Sequence, residues 1–262
     1  MTFPSAGVPR VAHRSSLVVL AAVALLAGCG TKDALDPLIP GAQGRVRLVN
    51  LITDTTRGRV NAILESVPFG VNLTYGGSTP SSLPSPATAI YSPVLIGGRT
   101  LVLRRTADTV TTVATFPFTV ATGVDYTVYA TGGAGASAIT SLITTDTNAA
   151  PAFGAVRVRV VHLAPTAGPV DIFVTAVGAD LALATATLAN VPVGRAAYLP
   201  SVAAGTYQVR VVPAGTAPAL RAANVALNLA SVALTANSAR TFIAADNNVG
   251  GAPFRFVTLV DR

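Results

Sequence analysis

The sequence is poor in the residues that most site chemistry requires. One cysteine in 262 residues excludes an intramolecular disulfide and an all-cysteine metal site. Of the two histidines, His13 lies near the start of the chain, and His162 stands alone in the rest. A single histidine without a free thiol cannot furnish a zinc ligand set. Glu65 is the one glutamate among eleven acidic residues, which are spread too widely to mark a glycosidase carboxylate pair or a calcium loop. No apolar run reaches the roughly 20 residues of a membrane-spanning helix, and no long amphipathic helix can be read. The expectation is a chain with no catalytic set, no metal and no cofactor.

The N-terminus gives the single cysteine a purpose. Residues Met1 to Arg14 carry Arg10, His13 and Arg14, and the apolar run Leu17 to Leu26 follows, a short one with small residues at its end. A positive segment, a short apolar segment and a small-residue cleavage site describe a secretory signal peptide over residues 1–28. Leu26-Ala27-Gly28-Cys29 resembles the lipobox of bacterial lipoproteins, in which the cysteine receives a diacylglyceryl group and becomes the new N-terminus. That resemblance implies lipid attachment at Cys29 and export across the inner membrane. Two or three acyl chains, at about 0.8 kcal/mol per buried methylene, anchor a protein stably where one would be marginal. Gly30, rather than Asp, follows the cysteine, which implies the outer membrane in a two-membrane organism and otherwise the outer face of the cytoplasmic membrane. Residues 29–44, rich in Gly and Pro, read as a lipidated tether.

The formal charge is +7, of which Arg10 and Arg14 leave with the leader, so the mature chain carries +5. Its arginines are scattered singly or in alternation (Arg45/Arg47, Arg157/Arg159) and form no basic face, so nucleic acid is not an expected partner.

What the chain has in abundance is Ala, Val and turn residues, with 23 Gly and 18 Pro, a mixture that suits many short strands. It also has an internal echo. Val46-Arg47-Leu48-Val49-Asn50-Leu51 matches Val158-Arg159-Val160-Val161-His162-Leu163, and Tyr91-Ser92-Pro93 matches Tyr198-Leu199-Pro200. Thr127-Val128-Tyr129-Ala130 matches Thr241-Phe242-Ile243-Ala244, and each unit closes on an aspartate, Asp146 or Asp261. Landmarks repeated in order indicate duplication. Within each unit the period is close to two: Val156, Val158, Val160 and His162 share one face, with Arg157 and Arg159 on the other, as in half-buried strands. The expected fold is all-β: two tandem immunoglobulin-like antiparallel β-sandwich domains at 45–146 and 155–262, joined by a linker at 147–154. Asp180 to Leu188 suits a helix, because Ala and Leu favour one, but a sheet connection or an edge strand equally well, and the Gly97-Gly98 and Gly132 to Gly135 runs suit hairpin turns.

Val158 to Pro165, then Val170-Asp171-Ile172-Phe173-Val174, then Ala204 to Arg210 resemble the bacterial DUF4397 family, extracellular domains of unknown function often found in surface or lipid-anchored proteins. The resemblance covers most of Val156 to Asp261, more weakly Arg45 to Asp146, and implies a β-sandwich. It departs at Ala164 to Gly168, where the family's acidic residue is missing, and in the first unit, where Asn50 and Asn72 stand at the His162 and Asp171 positions.

His162 and Asp171 are the pair from which a Ser-His-Asp set would be drawn. The plainer expectation is a strand-end histidine bonded to backbone, because the equivalent asparagines act neither as base nor as carboxylate. Tyr75, Tyr91, Tyr198 and Tyr207 are candidate stacking surfaces for a carbohydrate or peptide, or else core. The expected function is a non-enzymatic, membrane-anchored structural or interaction module of the cell envelope. Its partners would be the membrane through Cys29 and an envelope protein or polysaccharide. The alternatives are an adhesion module binding such a ligand, or an envelope hydrolase using His162 and Asp171.

Overall fold

A computed structural model describes residues 41–80 and 90–262; Leu26, Ala27, Gly28 and Cys29 lie outside the described residues. The first half contains β1 (Gln43–Ile52), β2 (Val60–Leu64), β3 (Val67–Leu73), β4 (Ser92–Leu95), β5 (Gly97–Arg105), β6 (Thr112–Val120), β7 (Asp125–Gly132) and β8 (Ile139–Asp146). They form two sheets, β4-β1-β7-β8 and β3-β2-β5-β6. The second half contains β9 (Ala155–Leu163), β10 (Val170–Thr175), β11 (Leu188–Val191), β12 (Arg195–Tyr198), β13 (Val202–Ala203), β14 (Gly205–Pro213), β15 (Leu227–Leu234), β16 (Ala239–Ala245) and β17 (Arg255–Val260). Its sheets, β12-β9-β16-β17 and β11-β10-β14-β15, repeat the same order, with β13 continuing β12 along β9. Residues 147–154 join the halves without a strand. The fold is all-β, and each half is a β-sandwich. Pairing is antiparallel throughout except at one place in each sandwich, where β1 runs parallel to β7 and β9 parallel to β16.

Each sandwich encloses its own core. Val46, Leu48, Val60, Leu101, Leu103, Phe116 and Val128 fill the first. Val158, Val160, Ile172, Val209, Val211 and Phe242 fill the second. These are the alternate residues of strands with period two, which point to the same side of their sheet.

The other face of the central strands is buried as well. Val49, Leu51 and Tyr129 of the first half pack with Val161, Leu163, Ile243, Ala245 and Leu259 of the second. The sheets β4-β1-β7-β8 and β12-β9-β16-β17 therefore press together, giving two sandwiches that share a third apolar seam. This corrects the expectation of half-buried strands with Arg157 and Arg159 facing water: β9 is buried on both faces, and Arg159 is only 2% exposed.

The remaining segments are resolved by local chemistry. Residues 180–187 form neither helix nor strand. Leu181 tucks against Phe173 and Val212 on the outside of the β10/β14 sheet. Arg221 donates to the Leu181 and Ala184 carbonyls, groups that a helix would have engaged itself. Gly97 and Gly98 open β5 instead of turning a hairpin. Gly132 lies at the β7–β8 connection with φ of 89°, where a Cβ would come within 2.5 Å of the Ala138 carbonyl oxygen, so that turn requires glycine. No helix among the described residues is long and apolar enough to cross a membrane.

Candidate functional site

The polar end of the seam is built from the arginine of one sandwich and the aspartate of the other. Arg47 on β1 places Nη2 2.7 Å from Oδ1 of Asp261, at the C-terminal end of the second half. Arg159 on β9 pairs reciprocally with Asp146 at the end of β8. Crossed contacts of 3.6 Å (Arg47 to Asp146) and 3.9 Å (Arg159 to Asp261) close the four charges into one group. The adjacent parallel strands supply the hydroxyls. Arg47 Nε donates to Thr127 Oγ1 at 3.2 Å, and Arg159 Nε to Thr241 Oγ1 at 2.9 Å. Each threonine hydroxyl then donates to the aspartate of its own half, Thr127 to Asp146 and Thr241 to Asp261.

A tyrosine covers each arginine, and here the halves differ. Tyr91 is 1% exposed, lies 4.5 Å from the Arg47 guanidinium, and donates its hydroxyl to Asp146 at 2.6 Å. Tyr198 lies 5.7 Å from the Arg159 guanidinium but is 39% exposed, and its hydroxyl accepts from the Thr147 backbone amide. Burial acts against the charges of Asp146, Arg47 and Arg159. Desolvation is the largest single influence on Asp146 and raises its pKa, yet hydrogen bonds from Arg159, Thr127 and Tyr91 together hold it below the usual carboxylate range. Arg47 and Arg159 likewise lose to desolvation but end above the ordinary arginine value, because Tyr91 and Asp261 for the first, and Tyr129 and Asp146 for the second, outweigh it. Tyr129, buried beside the group, is pushed up to about 12 chiefly by desolvation, and its hydroxyl has no hydrogen-bond partner among the described residues.

The histidine expected at a strand end is there. His162 Nε2 lies 2.7 Å from the Gly168 carbonyl, which can only accept, so the proton sits on Nε2; Nδ1 faces the Ala164 amide at 3.5 Å. Its counterpart Asn50 does the same work in the first half, donating to the carbonyls of Gly58 and Leu73 and accepting from the Ile52 amide. Both side chains pin the loop that follows a central strand. Asp171 accepts from the Asn190 amide, so His162 and Asp171 are bonded to backbone and not to each other. Asn72 belongs to the edge strand β3, where it accepts from Arg59, and does not stand at the Asp171 position: that place is taken by Asn61 on β2, which accepts from the Asn72 amide as Asp171 does from Asn190. Tyr91 is core, and Tyr75 and Tyr207 donate to the backbone carbonyls of Asp246 and Ala203. Tyr198 is the most exposed of the four tyrosines named from sequence, while Tyr75 and Tyr207 are half-buried. Among the described residues, no group of three or more His, Cys, Asp and Glu side chains is placed to hold a metal ion.

Such a molecule is a paired β-sandwich protein whose halves are locked by a reciprocal buried charge exchange. Residues 44–173 match the family described as Domain of unknown function (DUF4397). No curated protein matches the chain. The match covers the whole first sandwich and continues through β9 to Phe173 in β10, whereas the resemblance read from sequence was fuller in the second half. It includes Arg47, Asp146 and Arg159 and stops short of Asp261.

Proposed function

We propose that this protein is a lipoprotein of the bacterial cell envelope, anchored through lipid on Cys29, whose two-sandwich body serves as a non-enzymatic structural or interaction module. The observation that carries this reading is Leu26-Ala27-Gly28-Cys29 at the end of a ten-residue apolar run, in a chain with no other cysteine. A lone cysteine placed there is explained by acylation and by little else. The body is consistent with a passive role. Its strongest charge cluster is spent on holding two sandwiches together, and the His162 and Asp171 of the rival hydrolase reading are each committed to backbone groups. Gly30 after the cysteine favours the outer membrane if the organism has two.

The test is fractionation with mass spectrometry. The protein is expected in the membrane fraction, released by detergent and not by salt, with an N-terminal peptide beginning at an acylated Cys29. Cys29→Ser is expected to move it out of that fraction. A soluble product carrying an unmodified Cys29 thiol would overturn the reading.

A further inference from the structure

The two halves repeat the same strand order, so each side chain on one central sheet has a counterpart on the other, and the places where counterparts differ are informative. Arg45 on β1 stands beside Asp125 on the parallel strand β7. Its guanidinium grips that carboxylate through two bonds of 2.7 Å, Nε to Oδ1 and Nη2 to Oδ2. In the second half Arg157 occupies the matching position on β9, and the residue beside it on β16 is Ala239. The carboxylate is gone. Arg157 keeps one bond, from Nη1 to the Thr147 carbonyl at 2.9 Å, and pairs with no acidic side chain among the described residues.

The position beside Arg157 on β16 is closed, since Ala239 is buried. On the other side of β9, toward β12 and β13, Arg157 borders a cleft of about 480 Å³, lined also by Tyr198, Leu199, Ser201, Pro151 and Thr147. That volume falls within the range of small-molecule sites. The corresponding tyrosine of the first half, Tyr91, is sealed in by its bond to Asp146, whereas Tyr198 turns a partly exposed ring to the cleft rim. One guanidinium with free donors beside one open aromatic ring is a fixed arrangement: the fork suits a carboxylate bidentately, and the ring suits the flat C–H face of a sugar.

We propose that this cleft binds an acidic sugar, its carboxylate taking the guanidinium donors of Arg157 that no acidic side chain of the described residues engages, and its ring lying against Tyr198. The ligand supplies in trans what the first half carries in cis. This deepens the interaction-module reading by naming a ligand class, and it stands whether or not Cys29 is acylated.

The experiment uses full-length protein in detergent, titrated by NMR with D-glucuronate, D-glucose and acetate, each up to about 10 mM, which detects millimolar affinities. Glucuronate is expected to bind at least about tenfold more tightly than either glucose or acetate, since each of these lacks one half of the recognition. Arg157→Gln and Tyr198→Ala are each expected to weaken glucuronate about tenfold or more. Ala239→Asp is the decisive variant, because it keeps Arg157 and Tyr198 but rebuilds the internal partner; it is expected to abolish binding and to leave the protein folded, with a raised Tm. Equal affinity for glucose and glucuronate would overturn the proposal. So would equal affinity for acetate, undiminished binding by folded Ala239→Asp, or no binding of glucuronate. None of these outcomes bears on membrane anchoring, which the fractionation reads separately.

Discussion

Asp146 is the most heavily committed of the buried carboxylates described, accepting from Arg159, Thr127, Tyr91 and Thr144 in a site closed to water. Burying a paired charge yields little net stability, but removing one partner strands the other at a cost of about 3–5 kcal/mol. Asp146→Ala is therefore expected to destabilise by that amount in urea, and a double variant replacing Arg159 as well to cost less than the sum of the two single changes. The same carboxylate gives a pH dependence of definite sign. Its folded pKa is depressed, so its contribution is complete above the ordinary aspartate value of about 4 and is lost as pH falls through the lower folded value. Tm is expected to hold near neutrality and to drop steeply below about pH 4. Tyr129 offers the opposite case. Its buried hydroxyl has no partner among the described residues, so Tyr129→Phe is expected to be neutral or stabilising by up to about 1–2 kcal/mol, whereas the hydrogen-bonded Tyr91→Phe is expected to destabilise, both read from urea midpoints.

At the level of the strand, β1 and β9 show what period two reveals and what it hides. Alternation identified Val156, Val158, Val160 and His162 as one face, and they are. It assigned the opposite face to water because Arg157 and Arg159 stand on it, and arginine usually reports solvent. Nothing in the alternation distinguishes an exposed arginine from one that meets an acid on another strand, whether 13 residues away, as Asp146 is from Arg159, or 214, as Asp261 is from Arg47. The signal was nonetheless present in the repeat: both copies keep an arginine at 47 and 159 and both close on an aspartate, at 146 and 261. Four charged residues held at matching places in a chain that is only 11% charged point to a mutual contact. Of the readings of Asp180 to Leu188, the sheet connection is the one that forms over 180–187, its carbonyls held by Arg221 about 40 residues on. The two-sided burial has a direct consequence: Leu163→Ala, on the face once assigned to solvent, is expected to cost about 2–4 kcal/mol, while the exposed Leu183→Ala changes stability by less than about 0.5, as urea denaturation would show.

For the molecule as a whole, the seam turns two domain-sized units into one. Interfaces between domains of a chain are usually modest and polar and allow relative motion. Here the contact has an apolar core of its own beside a buried ionic lock. Calorimetry is expected to record a single cooperative transition with equal calorimetric and van't Hoff enthalpies, where loosely tethered domains would give two. The fragment 155–262, made alone, is expected to aggregate, because it presents Val161, Leu163 and Ile243 to water and deprives Arg159 of Asp146.

The reciprocal pairing also bears on inheritance. Since each half's guanidinium is answered by an acid from the opposite half, a substitution at either aspartate is suffered first by the neighbour, and selection sees the pair as one trait. Recombination that moved one half into another protein would deliver a stranded cation to its new host. The halves are therefore expected to travel through genomes as a couple, diverging freely at the outer sheets while keeping step along the line where they meet.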